Sequence, residues 1–194
     1  MDHSAARRAM IDSQLRPEAV TDAAVLAAMA SIPREDYVPV EARASAYSDR
    51  PIPLGEGRSM MAPAALGRLL SELAPRAGER ALVVGAATGY SAALLQHMGL
   101  DVTSADGPDA GQAKDMTEPF DLVLIDGAVE QVPQSLIDRL VEGGRLATAL
   151  RDRGVSRLAI GRAAAGRLGL RTIVDAEVAP LPQFERPRAF TFEV

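Results

Sequence analysis

ALVVGAATGYSAALL, from Ala81 to Leu95, opens as a run of apolar strand formers, breaks at Gly85, and resumes as helix-forming sequence. With Arg80 in front it predicts a short buried strand over Arg80 to Val84, a turn through Gly85, Ala86, Ala87, Thr88 and Gly89, and a helix from about Tyr90 to Met98. Glycine permits the tight turn and lets a ligand approach the backbone. The helix N-terminus then offers unpaired N–H groups to a carboxylate or phosphate. Only two glycines are present, so the dinucleotide fingerprint G-x-G-x-x-G is not matched and a nicotinamide or flavin cofactor is disfavoured. A bare strand-to-helix joint without ligand would use the same glycines.

Downstream, DVTSAD brings Asp106 22 positions past Val84. In nucleotide-binding α/β folds an acid about 20 residues after the glycine turn binds ribose hydroxyls. A turn carboxylate at a strand end is the other reading. DLVLI, Asp121 to Ile125, is a second strand, followed by a helix through Leu136 and Leu140 that stops at Gly143 and Gly144. RLATAL, Arg145 to Leu150, is a third. Asp126 follows the second strand at its carboxyl end, where it either faces a ligand or forms a turn with Gly127.

Apolar strands alternating with amphipathic helices predict an α/β architecture, a mostly parallel sheet with helices on both faces. The C-terminal strands expected over Val155 to Ala163, Leu170 to Val178 and Ala189 to Val194 have no helices between them, so they should add antiparallel strands at one edge. Upstream, the first 55 residues form a helical lead-in. Ala6, Met10 and Ile11 lie on one helix, and Val25, Leu26 and Met29 on another that Thr21 caps and Pro33 closes. Ser48 to Pro63 is too rich in proline and glycine for a regular element and is expected to be an ordered loop. Pro63 opens a helix that puts Leu66, Leu69, Leu70 and Leu73 on one buried face. One domain over 1–194 is expected, with a lead-in and loop over 1–62, a parallel core over 63–150 and antiparallel strands over 151–194.

The 194 residues, 47% hydrophobic and 24% charged, suffice for one buried core. With no cysteine there is no disulfide framework, thiolate nucleophile or cysteine-ligated zinc, and a reducing cytosol fits. No run approaches the roughly 20 apolar residues of a membrane span, and the start is too polar for a signal peptide. A net charge of −5, with Lys114 the only lysine, argues against nucleic acid as a partner. His3 and His97 have no metal-ligand spacing, so no metal site is expected; His97 fits a solvated helix position.

Several segments in order resemble the protein-L-isoaspartate O-methyltransferase family. VTDAAVLAAMASIPREDYVP is similar to the family's N-terminal pattern, with Pro33, Arg34, Glu35, Tyr37, Val38 and Pro39 as its signature. AYSDRPIPLGEG, from Ala46 to Gly57, resembles the loop that follows; VVGAATGYSAALL resembles the cofactor turn, and EGGRL the entry to the fifth strand. The resemblance implies a Rossmann-like S-adenosylmethionine methyltransferase fold. It also implies methyl transfer from S-adenosyl-L-methionine to the carboxylate of isoaspartyl residues in damaged proteins, in the cytoplasm. Gly85, Ala86, Ala87, Thr88, Gly89, Asp106 and Asp126 would line the cofactor site.

Two departures stand out. Where the family has Gly-x-Thr-Ile-Ser-x-Pro, with a serine hydroxyl on the acceptor, this chain has Gly57-Arg58-Ser59-Met60-Met61-Ala62-Pro63. Met61 holds the serine position and cannot donate a hydrogen bond, which leaves Ser59 as the candidate hydroxyl at the acceptor. Between the glycine turn and DLVLIDGA there is room for one strand where the family carries two strands and a helix, a deficit of roughly 25 residues. DVTSAD therefore aligns either as the second strand, with Asp106 on the ribose, or as the third, with Asp106 and Gly107 near the adenine. The continuity of the preceding chain favours the first. A non-catalytic binding or scaffold protein that has lost the cofactor pocket, and a methyltransferase for another acceptor, are the alternatives.

Overall fold

In a computed structural model, residues 2–85, 87–107, 110–111 and 118–185 are described. The chain opens with α1 (His3–Met10), begun by Asp2, whose carboxylate accepts from Ala5 N at 3.1 Å. A π-helical turn, Ile11–Leu15, carries it on. Then comes α2 (Ala23–Ser31), which is capped by Asp22 and not by Thr21: the Asp22 carboxylate accepts from Ala24 N and Val25 N at 2.9 and 3.0 Å. An ionised carboxylate accepting two N–H groups beside the positive helix end outcompetes a neighbouring hydroxyl.

The expected loop over Ser48 to Pro63 contains a hairpin, β1 (Ile52–Gly55) against β2 (Arg58–Met60). Gly55, Glu56 and Gly57 all take positive φ at its tip, which is what the two glycines are for. α3 (Pro63–Leu73) starts on Pro63, and its four leucines are at most 1% exposed. β3 (Arg80–Val84), α4 (Tyr90–His97) and β4 (Asp101–Ala105) follow as the opening stretch predicts.

β5 (Phe120–Val129) continues through Asp126 and Gly127, so these two residues do not form a turn. The helix expected through Leu140 is shorter: α5 spans Gln134–Ile137, and Leu140 opens β6 (Leu140–Asp152) opposite Phe120. Gly143, at φ 77°, and Gly144 accommodate an irregularity inside that strand and do not stop a helix. β7 (Val155–Ala164) and β8 (Arg167–Asp175) complete the sheet; the second starts earlier and ends earlier than the expected Leu170 to Val178. The strand expected over Ala189 to Val194 lies outside the described residues.

The six-stranded order is β4-β3-β5-β6-β7-β8, parallel from β4 to β6 and antiparallel from there on. Alternate residues of each buried strand face opposite layers. Ala81, Val83, Leu122 and Leu124 meet the leucines of α3 and α4, while Leu82, Val84, Val123 and Ile125 pack with Leu136 of α5 and with Leu181 and Phe184. β4 is parallel to β3 and beside it, a position compatible with either alignment of DVTSAD. Among the described residues no strand lies beyond it.

Candidate functional site

The parallel strands β3, β4 and β5 deliver their carboxyl ends to one edge, where open α/β sheets bind ligands. Gly85 leaves β3 at φ 77°, with its N–H still donating to Ala105 O at 2.9 Å, and Ala87 N turns back onto Gly85 O at 2.8 Å. Thr88 Oγ1 accepts from Tyr90 N at 3.3 Å, and Gly89, also at φ 77°, caps α4. Among the described residues a β-carbon at Gly89 would meet nothing within 4 Å, so they leave this side of the turn open. Ala86 lies outside the described residues. Asp106, just past β4, is 44% exposed, and its Oδ2 accepts from Arg58 Nη1 at 3.2 Å. That contact brings the tip of the β1–β2 hairpin across to the end of β4.

Asp126 arrives on β5 with its Oδ2 accepting from Ser91 Oγ of α4 at 2.7 Å. Burial pushes its pKa up, against the pull of the Ser91 hydroxyl and of Arg34. One oxygen is thus committed to locking α4 onto the sheet.

Ser59 sits half-buried in β2 opposite Pro53. Met60 and Met61 are 5% and 3% exposed and belong to the core, so the thioether in the place of the family serine faces apolar packing. The Met61 backbone has a different task. Its carbonyl accepts from Arg34 Nη2 at 2.5 Å, and Arg34 Nε donates to Ala46 O at 2.8 Å. Arg34 is fully buried, lies 5.1 Å over the ring of Tyr90, and keeps Nη1 without a partner among the described residues. Burial drives its pKa down.

Beside it Glu35 accepts from Tyr47 Oη and pairs with Arg7 at 3.1 Å, while Arg7 Nε donates to Tyr47 Oη at 2.7 Å. Burial, followed by the bond to Glu35, pushes the Tyr47 hydroxyl up to about 12. The Pro-Arg-Glu signature therefore fastens the N-terminal helices to the segment carrying Ser59 and to the first turn of α4.

Leu181 is the site residue that the sequence reading missed. The backbone around it zips onto the end of β5 through Ala128 N to Ala179 O and Leu181 N to Ala128 O, both 2.8 Å. A β-carbon at Gly85 would lie 2.8 Å from Leu181 Cδ1, and one at Gly127 would lie 2.5 Å from Leu181 Cγ. Two glycines thus make room for one leucine, and the only sequence signal is an apolar residue held between Pro180 and Pro182.

A model of the family described as protein-L-isoaspartate(D-aspartate) O-methyltransferase matches residues 5–105 and 96–165. The chain belongs to this family. A protein-L-isoaspartate O-methyltransferase of Koribacter versatilis (strain Ellin345) is 32% identical over 90% of both chains. One of Methylorubrum populi is 35% identical over 73% of this chain and 78% of its own. The fold is that of a Plasmodium falciparum protein-L-isoaspartate O-methyltransferase solved with S-adenosyl-L-homocysteine, at a TM-score of 0.74, 17% identity, and coverage of 94% of this chain and 99% of that one. The two stretches matched to the isoaspartate methyltransferase family overlap at residues 96–105, the approach to β4 and the strand itself. Among the described residues no helix is long and apolar enough to cross a membrane.

Proposed function

We propose that this chain transfers the methyl group of S-adenosyl-L-methionine to the side-chain carboxylate of isoaspartyl residues in damaged proteins, in the cytoplasm. The observation that carries the reading is the meeting of Arg58, on the hairpin beside Ser59, with Asp106 at the carboxyl end of β4. It sets the acceptor side directly against the cofactor side.

The residues fit the cofactor. Gly89 leaves an open cradle at the start of α4, where unpaired N–H groups suit an amino-acid carboxylate. Asp106 spends one oxygen on Arg58, and a carboxylate has about four acceptor positions, so it can also take ribose hydroxyls. Asp126, fixed by Ser91, sets the spacing between β5 and the turn. When bound, the cofactor supplies an electrophilic methyl on sulfonium sulfur.

The acceptor carboxylate is ionised at neutral pH and attacks through its own oxygen, so the protein needs no strong base. Its task is alignment and exclusion of water. Ser59 is the hydroxyl available to hold the acceptor, and Leu181 covers the turn from the α5 side of the sheet.

Incubating the protein with methyl-labelled cofactor and a pair of peptides that differ only in an isoaspartyl or aspartyl linkage tests this. Label should enter the isoaspartyl peptide alone; no label in either would sink the proposal. The shortened sheet favours a second reading, a non-catalytic binding or scaffold protein that has lost the cofactor pocket. Titration with S-adenosylhomocysteine showing no binding at millimolar ligand would select it.

A further inference from the structure

Arg58 is the one arginine of the hairpin, and methyl transfer to an already ionised carboxylate gives its charge no part in the chemistry itself. Its side chain is 42% exposed, with Nη1 3.2 Å from Asp106 Oδ2 and Nη2 3.9 Å from Glu56 of its own turn. A guanidinium is planar and presents several donors in a fixed fork. One donor holds Asp106 while the others stay available, and Asp106 makes no other hydrogen bond among the described residues.

We propose that Arg58 is a positioning residue of the cofactor site. It fixes the Asp106 carboxylate in the orientation that receives the ribose hydroxyls, and it draws the hairpin over the carboxyl ends of β3 and β4. The shortened sheet gives this contact its purpose. Among the described residues Asp106 follows the outermost strand, and Gly107 beyond it takes φ 87° with nothing within 4 Å of its would-be β-carbon. Among those residues few neighbours restrain the acid, and the hairpin supplies the restraint from the opposite side of the cleft. The proposal rests on Asp106 being the ribose acid.

The test is calorimetric titration of S-adenosylhomocysteine, and of its analogue lacking both ribose hydroxyls, into the full chain and the variants Arg58→Ala, Arg58→Lys, Asp106→Asn and Arg58→Ala/Asp106→Asn. Arg58→Ala should weaken S-adenosylhomocysteine about fivefold, the scale of a half-exposed ion pair, and Arg58→Lys should recover part of the loss. The double variant should bind no more weakly than Asp106→Asn alone, and the dideoxy analogue should not distinguish Arg58→Ala from the parent. A merely structural hairpin contact would instead weaken both ligands equally.

Loss of affinity in Asp106→Asn with none in Arg58→Ala would overturn the role of Arg58 and leave the ribose assignment standing. So would losses that multiply in the double variant. An Asp106→Asn variant that binds both ligands like the parent would overturn the ribose assignment and the proposal with it.

Discussion

Arg34 has no exposure to solvent and, among the described residues, no carboxylate partner within hydrogen-bond reach; two backbone carbonyls hold its charge in place. Replacing it with methionine keeps the bulk and strands both carbonyls, at about 1–3 kcal/mol for each unsatisfied buried group. We expect Arg34→Met to lower the unfolding free energy by about 2–4 kcal/mol in urea denaturation. A change under about 0.5 kcal/mol would show that the carbonyls find other donors. Glu35 next to it makes a pH prediction. Burial alone would raise its pKa, but the Tyr47 hydroxyl, a backbone N–H and Arg7 together hold it below its ordinary 4.5. A depressed carboxylate contributes stability above its unfolded pKa and loses it as pH falls through the folded one. Glu35→Gln should therefore be less stable than the parent at pH 7, and the gap should narrow as denaturation is repeated below pH 4.5. A gap independent of pH would mean that the charge of Glu35 contributes nothing. The sequence marked Arg34 and Glu35 only as a signature; their role depends on carbonyls of Ala46 and Met61 that no side-chain pattern announces.

At the scale of elements, the segment carrying Leu181 is held to β5 by backbone pairing and by the space that Gly85 and Gly127 leave. Gly127→Ala would drive a methyl into the leucine branches and should cost about 1–3 kcal/mol. Leu181→Ala should cost about 2–5 kcal/mol by opening a cavity. Combined, the two should be less destabilising than the sum of the singles by about 1 kcal/mol or more, because the alanine methyl fills part of the space vacated. Strict additivity in denaturation measurements would mean that the leucine does not rest on Gly127.

The elements that could be read from sequence were those with a strong local period. The leucines of α3 and the RALVV strand of β3 form as expected, because a buried face at fixed spacing leaves one solution. The hairpin was hidden because Pro51 and Pro53 break the alternation that marks a strand, and a two-stranded ribbon tolerates them. The Gly143-Gly144 pair misled for the opposite reason. Glycine at φ 77° ends helices, and it also serves a strand irregularity, and only the pairing with β5 decides between them.

For the molecule as a whole, order along the chain was legible and the closing of the site was not. The glycine turn, Asp106 and Asp126 converge on one edge because parallel strands must deliver their carboxyl ends there. Arg58 and Leu181 reach that edge from 48 residues upstream of Asp106 and from beyond β8, and contacts at such separation leave no local trace. The lost βα unit leaves β4 hydrogen-bonded to β3 alone among the described residues. A rim strand opens more readily than a central one, so its amides should exchange with deuterium sooner than those of β3 and β5. In this protein that rim strand leads into Asp106, the proposed ribose acid, so on the proposed reading occupancy and edge dynamics become one quantity. Saturating S-adenosylhomocysteine should slow deuterium uptake over 101–105 more than over any other strand, and a uniform slowing across the sheet would separate the two.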